Sequence, residues 1–197
     1  MMNGTNDISI IPWHGKTPRI HDSAFIAPGC RIIGDVEIGP DVSIWYNCVV
    51  RGDANRIVIG ARTNIQDGSV VHCDSPKPKN PDGIPTIIGE DVLIGHMAMV
   101  HGTILEDRAF VGLGAITMDG CKIESDGMLA AGAMLSPNKV IGARQLWMGR
   151  PAKYVRDLPD QALAEMQMGV ASYVENGRLH KSAIAALVDG ADGSPED

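Results

Sequence analysis

A branched aliphatic side chain recurs at every sixth position along most of this chain, a spacing that neither a helix nor a simple alternating strand produces. The rungs are Ile20, Ile26, Ile32, Ile38, Ile44 and Val50, then Ile59, Ile65 and Val71, then Ile88, Ile94 and Val100, then Leu105, Val111, Thr117, Ile123, Leu129, Leu135 and Ile141. Eighteen of these nineteen positions are Ile, Val or Leu, although those residues make up only 46 of the 197. Chance does not produce that. Four positions beyond most rungs the side chain is small, as at Ala24, Cys30, Cys48, Ser69, Ala98, Ala115 and Ala133. Such a pattern is the signature of a hexapeptide β-helix repeat. Three short strands make one coil of eighteen residues, one aliphatic side chain from each strand fills a narrow prism, and the small residue fits a corner. Each coil buries its face only against its neighbours.

A triangular coil of hexads resembles the left-handed parallel β-helix, an exception to the right-handed crossover rule for parallel strands. The expected fold is therefore mainly β, with a lead-in and β-helix over residues 1–148. After Ile141 the hexads stop, and Gly149-Arg150-Pro151-Ala152-Lys153 leads into a different pattern. Ala162, Leu163, Met166, Val170, Tyr173 and Val174 fall mostly at helical spacing. They predict a helix from about Pro159 to Val174, with a second from Arg178 to Val188, inside a C-terminal helical segment 149–189. Residues 190–197 read as a disordered tail. Two gaps interrupt the ladder. The one between Val50 and Ile59 is short, whereas the one between Val71 and Ile88 holds the polar, proline-rich loop Asp74 to Gly83. Solenoids insert loops where something is bound.

The net charge of −7 argues against nucleic acid as a partner. No stretch reads as a membrane span or signal peptide, because the Ile8 to Pro12 run is far too short. The four cysteines read as reduced thiols of a cytoplasmic protein rather than a disulfide framework. Cys30 and Cys48 lie eighteen residues apart and should stack at one corner, where small corner fillers are the simpler reading and a pair the alternative.

Three of the six histidines fall at defined steps of the ladder. His72 and His101 each follow a rung, Val71 and Val100, at equivalent places on successive coils, which puts their backbones one strand spacing apart, roughly 4.8 Å. Two imidazoles at that separation can share a metal ion. His96 lies two past Ile94, on the preceding face and pointing outward, so it reaches the same ion only from a neighbouring chain. A threefold homotrimer satisfies this geometry with three identical sites. Three protein ligands leave a coordination position open, the pattern of a catalytic zinc site. A surface role is the plainer reading for any one of these histidines taken alone; the shared registration of three favours metal.

Arg51-Gly52-Asp53, the run Asn64 to His72, the run Ile94 to Gly102 and the exit Gly149 to Lys153 together resemble the gamma-class carbonic anhydrases and their close bacterial relatives, over residues from about 12 to 175. The resemblance implies a trimeric left-handed β-helix with Zn2+, or Fe2+ or Co2+, at the subunit interfaces. It implies His72, His96 and His101 as metal ligands, with Gln66 positioning the metal-bound water or hydroxide and Asn64 near the substrate. Arg51 and Asp53 resemble the family's interface ion pair, with Asp67 beside them, although Arg51 also suits attraction of bicarbonate. Tyr173 matches a family tyrosine approaching the site from the C-terminal helix, or serves packing alone. The implied chemistry is reversible hydration of carbon dioxide to bicarbonate. A divalent metal lowers the pKa of bound water toward about 7, an effect for which carbonic anhydrase is itself the standard example. Prototype members carry glutamates beside the site; here Ala54 stands at one of those places, and Cys73, Asp74 and Ser75 at the other. That departure points to slow or buffer-dependent turnover, or to another substrate. Two other classes stay open: a hexapeptide acyltransferase or acyl-CoA-processing enzyme, and a non-catalytic trimeric scaffold that keeps the metal for structure.

Overall fold

The computed structural model describes residues 7–191, with side chains as far as residue 187. It is mainly β: a parallel β-helix of about eight turns, the coil that the hexads predict, followed by one C-terminal helix. The rungs explain the coil. From Ile32 to Ile141 every one is at most 2% exposed, whereas Ile20 and Ile26, in the first coil, are only half-buried. With a branched aliphatic pointing inward from each strand, the only way to bury them all is to stack coil on coil in register.

Three faces result. On the first, Phe25–Ile26, Ser43–Ile44, Asn64–Ile65, Leu93–Ile94, Phe110–Val111, Met128–Leu129 and Gln145–Met148 stack in parallel. On the second, the lead-in Ser9–Ile11 pairs with the start of Arg31–Ile38, and Val49–Ile59, Val70–His72, Met99–His101, Ile116–Thr117 and Met134–Leu135 follow. The third carries Thr86–Ile88, Thr103–Leu105, Cys121–Ile123 and Val140–Ile141. The strands Arg31–Ile38 and Val49–Ile59 run through a corner and belong to both the second and third faces. Both ladder gaps are outward bulges that leave the prism intact: Val50 still pairs with Val71, Ile59 with Ile88, and Val71 with Val100.

One corner carries an alternating charge column, Asp41, Arg62, Asp91, Arg108, Asp126 and Arg144, each with φ between 55° and 62°. Arg62 bonds Asp91 at 2.7 Å and Arg108 bonds Asp126 at 2.8 Å. Single surface pairs contribute little, but the column also ties down the helix, through Arg178 to Asp41 at 3.3 Å and through Arg144 to Asp160.

The segment after Met148 departs from the expected two helices. Lys153–Asp157 is a strand antiparallel to Gln145–Met148, and a single helix, α1, runs unbroken over Asp160–Ala191. Asn176-Gly177 does not interrupt it. At Gly177 α1 packs tightly on the first face, where an added Cβ would stand 3.2 Å from the Ser43 Cβ. Close docking compensates the weak helix propensity of glycine. Around that point Trp45 meets Phe25, Tyr173 and His180 with ring centroids 5.5, 5.4 and 4.9 Å apart, and His180 Nδ1 lies 2.9 Å from the Tyr46 hydroxyl. Of the expected disordered tail, Gly190 and Ala191 belong to α1, and residues 192–197 lie outside the described residues.

Thr117 is the one polar rung, fully buried, its hydroxyl 3.0 Å from that of Thr103, which also reaches the His101 carbonyl at 2.8 Å. Thr117→Val therefore shifts stability by less than about 1 kcal/mol, whereas Ile65→Ala opens a cavity and costs about 2–5 kcal/mol. Denaturant midpoints of the two variants check this contrast.

Candidate metal centre

The register across the long loop places two imidazoles side by side. His72 and His101 are direct partners in adjacent parallel strands, and their rings meet edge-on, inclined at 63°, with centroids 4.9 Å apart. His72 Nδ1 lies 3.0 Å from His101 Nε2. The outer nitrogen of each ring meets a carboxylate: His72 Nε2 is 3.0 Å from Asp53 Oδ1, and His101 Nδ1 is 2.5 Å from Asp119 Oδ1. Asp53 also accepts from Arg51 at 2.7 Å. Burial pushes the Asp53 carboxyl up, but the bonds from His72 and Arg51 outweigh it and hold it below the usual range. Burial keeps His72 below the ordinary histidine value, so its ring is neutral and able to bind a cation at neutral pH.

The remaining sequence-predicted residues gather at the corner between the first and second faces. His96 sits there in a turn, its Nδ1 2.8 Å from Asp67 Oδ2. Asp67 is thus beside His96, and not beside the Arg51 to Asp53 pair of its own chain. Asn64 and Gln66, fully buried, lead into the same corner, where Gln66 donates to Asn64 Oδ1 at 3.1 Å. The Asn64 amide nitrogen is left buried without a partner. Tyr173 lies on the α1 side of this group, where burial and the charge of Asp67 raise its pKa. Two clusters result: Arg51, Asp53, His72 and His101 on the second face, and Asn64, Gln66, Asp67, His96 and Tyr173 around the corner. Among the described residues, no three His, Cys, Asp or Glu side chains of one chain are grouped to hold a metal ion.

The bacterial transferase hexapeptide (six repeats) model matches residues 17–52. A carbonic anhydrase of Geobacillus kaustophilus is 42% identical to this chain, over 88% of the chain and 91% of its own length. The chain belongs to the gamma carbonic anhydrase-like hexapeptide-repeat family. Gamma carbonic anhydrase 2, mitochondrial, of Arabidopsis thaliana is 41% identical over 85% of this chain, which spans only 60% of that relative. The crystal structure of a Bacillus cereus protein described as a candidate acetyltransferase has a TM-score of 0.85 at 37% identity, over 90% of this chain and 99% of its own.

The donor set fits the metal ion expected of this family. Two imidazole nitrogens bound to one zinc at about 2.0–2.1 Å and near the tetrahedral angle stand about 3.3 Å apart, and the facing nitrogens here are 3.0 Å apart. Sequence reasoning missed Asp119, although it lies eighteen residues beyond His101, one coil along. The proline-rich loop also frames this cluster. Asn55 donates to the Asp82 carbonyl at 2.8 Å, and Lys77, bonded to Asp74 at 2.7 Å, lies in the field of Asp119.

All four cysteines are free and buried. Cys30 and Cys48 donate to the Trp45 and Gln66 carbonyls at 2.9 and 3.1 Å, as corner fillers. Burial pushes the Cys73 and Cys121 thiols above the usual value, so both stay protonated and unreactive near pH 8. Titration with a thiol-reactive disulfide reagent should find no fast thiol in the folded protein and all four after denaturation.

Proposed function

We propose that this chain is a metal-dependent carbonic anhydrase whose centre is assembled between subunits of a homotrimer. The observation that carries the reading is the facing pair of imidazole nitrogens of His72 and His101, one coil apart and 3.0 Å from each other. They form two thirds of a donor set. His96, which its own chain holds at a different corner, supplies the third from the next subunit. The ion is Zn2+, with Fe2+ or Co2+ equally acceptable to three imidazoles.

The surface supports self-association. Val49, Val70, Met99, Ile116 and Met134 stack in register and point outward on the same face as the two histidines, with Met99 36% exposed. Met97 and Leu113, at or one coil from the His96 corner, are 71% and 52% exposed. Apolar surface of this kind, flanking both clusters, is what an interface buries. A rotation that brings one subunit's His96 corner against the next subunit's second face covers both patches and closes into a ring.

A divalent cation held there supplies the Lewis acidity that makes hydroxide available near neutral pH. The residues of the chain do the rest. Gln66, an amide that donates without titrating, orients the water that attacks carbon dioxide, and its own bond to Asn64 fixes its rotamer. The unpaired N–H groups of Asn64 suit an oxygen of carbon dioxide or bicarbonate. Arg51, neutralised in part by Asp53, draws the bicarbonate anion or closes the interface. Tyr173, kept protonated, walls the site on the α1 side. The proton released in each turnover leaves to solvent, and with Ala54 in place of a carboxylate that exit is slow and depends on buffer. The protein acts in the cytoplasm.

Elemental analysis of anaerobically purified protein should find about one metal per subunit, with stopped-flow hydration activity that rises with buffer concentration. His96→Ala and His101→Ala should each lose both metal and activity. Mixed trimers of the two variants should regain part of both, because the intact His72 and His101 of one subunit meet the intact His96 of the other. Acyl-CoA binding by a metal-free trimer would favour the acyltransferase reading, and a metal-bearing trimer without hydration activity the scaffold.

A further inference from the structure

The three ladder histidines differ from the other three in what their ring nitrogens touch. His72, His96 and His101 each set one nitrogen 3.0, 2.8 and 2.5 Å from a carboxylate, of Asp53, Asp67 and Asp119. His21 turns to the Ser23 hydroxyl, His180 to Tyr46, and His14 stacks edge-on against Trp13. An ionised carboxylate only accepts, so a ring nitrogen bonded to one carries the proton, and in a neutral imidazole the other nitrogen then holds the lone pair. Applied to the central pair, this puts the proton of His101 on Nδ1 and that of His72 on Nε2. The two nitrogens that face each other at 3.0 Å are then both lone pairs. Such a contact is repulsive unless a cation stands between them.

The alternative tautomer of either ring would join the two histidines by a neutral hydrogen bond and give up a charge-assisted one, which is roughly twice as strong. The carboxylates therefore decide. Their placement is built in. Gly102, at φ 51°, follows His101, and a Cβ there would stand 2.5 Å from the Asp119 carboxylate oxygen. The backbones are pinned as well: the His101 carbonyl accepts from Thr103 at 2.8 Å, and the His72 carbonyl accepts from Gly102 N at 3.2 Å and from Thr86. From the loop, Lys77 lies in the field of Asp119, and Asp74, which holds Lys77, feels the charge of His101.

We propose that Asp53 and Asp119 are positioning residues that select the tautomers of His72 and His101, so that the metal is bound through Nδ1 of the first and Nε2 of the second. Carboxylate partners of this sort raise ligand basicity and fix ring orientation. The inference rests on the metal reading above and adds to it the identity of the donor atoms and a role for Asp119, which does not touch substrate or metal.

The test is long-range proton–nitrogen correlation on the full-length protein labelled with 15N-histidine, at pH 8, with zinc and after chelation, with signals assigned by single His→Gln variants. His101 should appear as the Nδ1–H tautomer and His72 as the Nε2–H tautomer in both states. Asp119→Asn should release His101 into a tautomer mixture and weaken zinc retention in chelator competition by 10- to 100-fold, and Asp119→Glu should restore much of both. A wild-type protein that holds zinc but shows the reversed tautomers overturns the positioning role and leaves the metal reading standing. So does an Asp119→Asn variant with unchanged tautomer and zinc affinity. A wild type that takes up no metal overturns the metal reading and this inference with it.

Discussion

Register between parallel strands is the constraint on which everything else in this molecule depends. A side chain in a parallel ladder has one direct neighbour above and one below, and a slip of a single residue turns every rung from the prism to the solvent. The aliphatic rungs forbid that slip because each of them, from Ile32 to Ile141, is almost completely buried. The cost of misregistration is then paid by many side chains at once. His72 and His101 inherit this precision without contributing to it: they are outward neighbours of Val71 and Val100, which the core locks in place. A pair of imidazoles needs alignment within a few tenths of an ångström to share an ion, and the prism provides it through residues that have no chemistry of their own.

The same constraint explains how the insertions are tolerated. The Asp53 to Arg56 bulge and the Asp74 to Gly83 loop leave the ladder at a corner and return to it, so Ile59 and Ile88 resume pairing directly. Loop length is cheap in entropy when its ends are held by the sheet. The two excursions are also stitched to each other: Asn55 reaches the Asp82 carbonyl, and its backbone N–H bonds Cys73 Sγ at 3.1 Å. They frame the His72 and His101 cluster from one side, while the opposite corner, with its column of alternating Asp and Arg, holds α1 against the first face. Rigidity comes from the prism, and variation is confined to its edges.

What could be read from the sequence follows from which interactions have a period. The coil, its corners and the pairing of His72 with His101 were legible because each repeats with the hexad. The presence of a C-terminal helix was legible from apolar spacing, but its continuity was not. Asn176-Gly177 looks like a break until Gly177 is seen against Ser43 and Phe25, a tertiary contact with no local signal. Asp119 was missed because a lone acidic residue in a turn carries no pattern, even though a step of eighteen from His101 leads to it. The grouping of Asp67 with Arg51 and Asp53 came from a family likeness. Within one chain the ladder sets Asp67 beside His96 instead, since Ile65 pairs with Ile94 and their successors share a corner.

A solenoid of this kind presents flat faces and sharp corners, and among the described residues of one chain no three metal-binding side chains converge. The chain carries two incomplete clusters, and each has what the other lacks: the facing imidazole nitrogens of His72 and His101, and at the far corner a third imidazole together with an amide pair whose Asn64 nitrogen is buried without a partner. In the proposed homotrimer, the concavity an enzyme needs to exclude water and enclose a small substrate comes from a second copy of the same surface. Self-association and chemistry become one requirement. In the homotrimer proposed above, a substitution among the outward apolar residues Val70, Met99 or Ile116 would reach the metal centre without touching a histidine, because separating the subunits would take the third imidazole away from the other two.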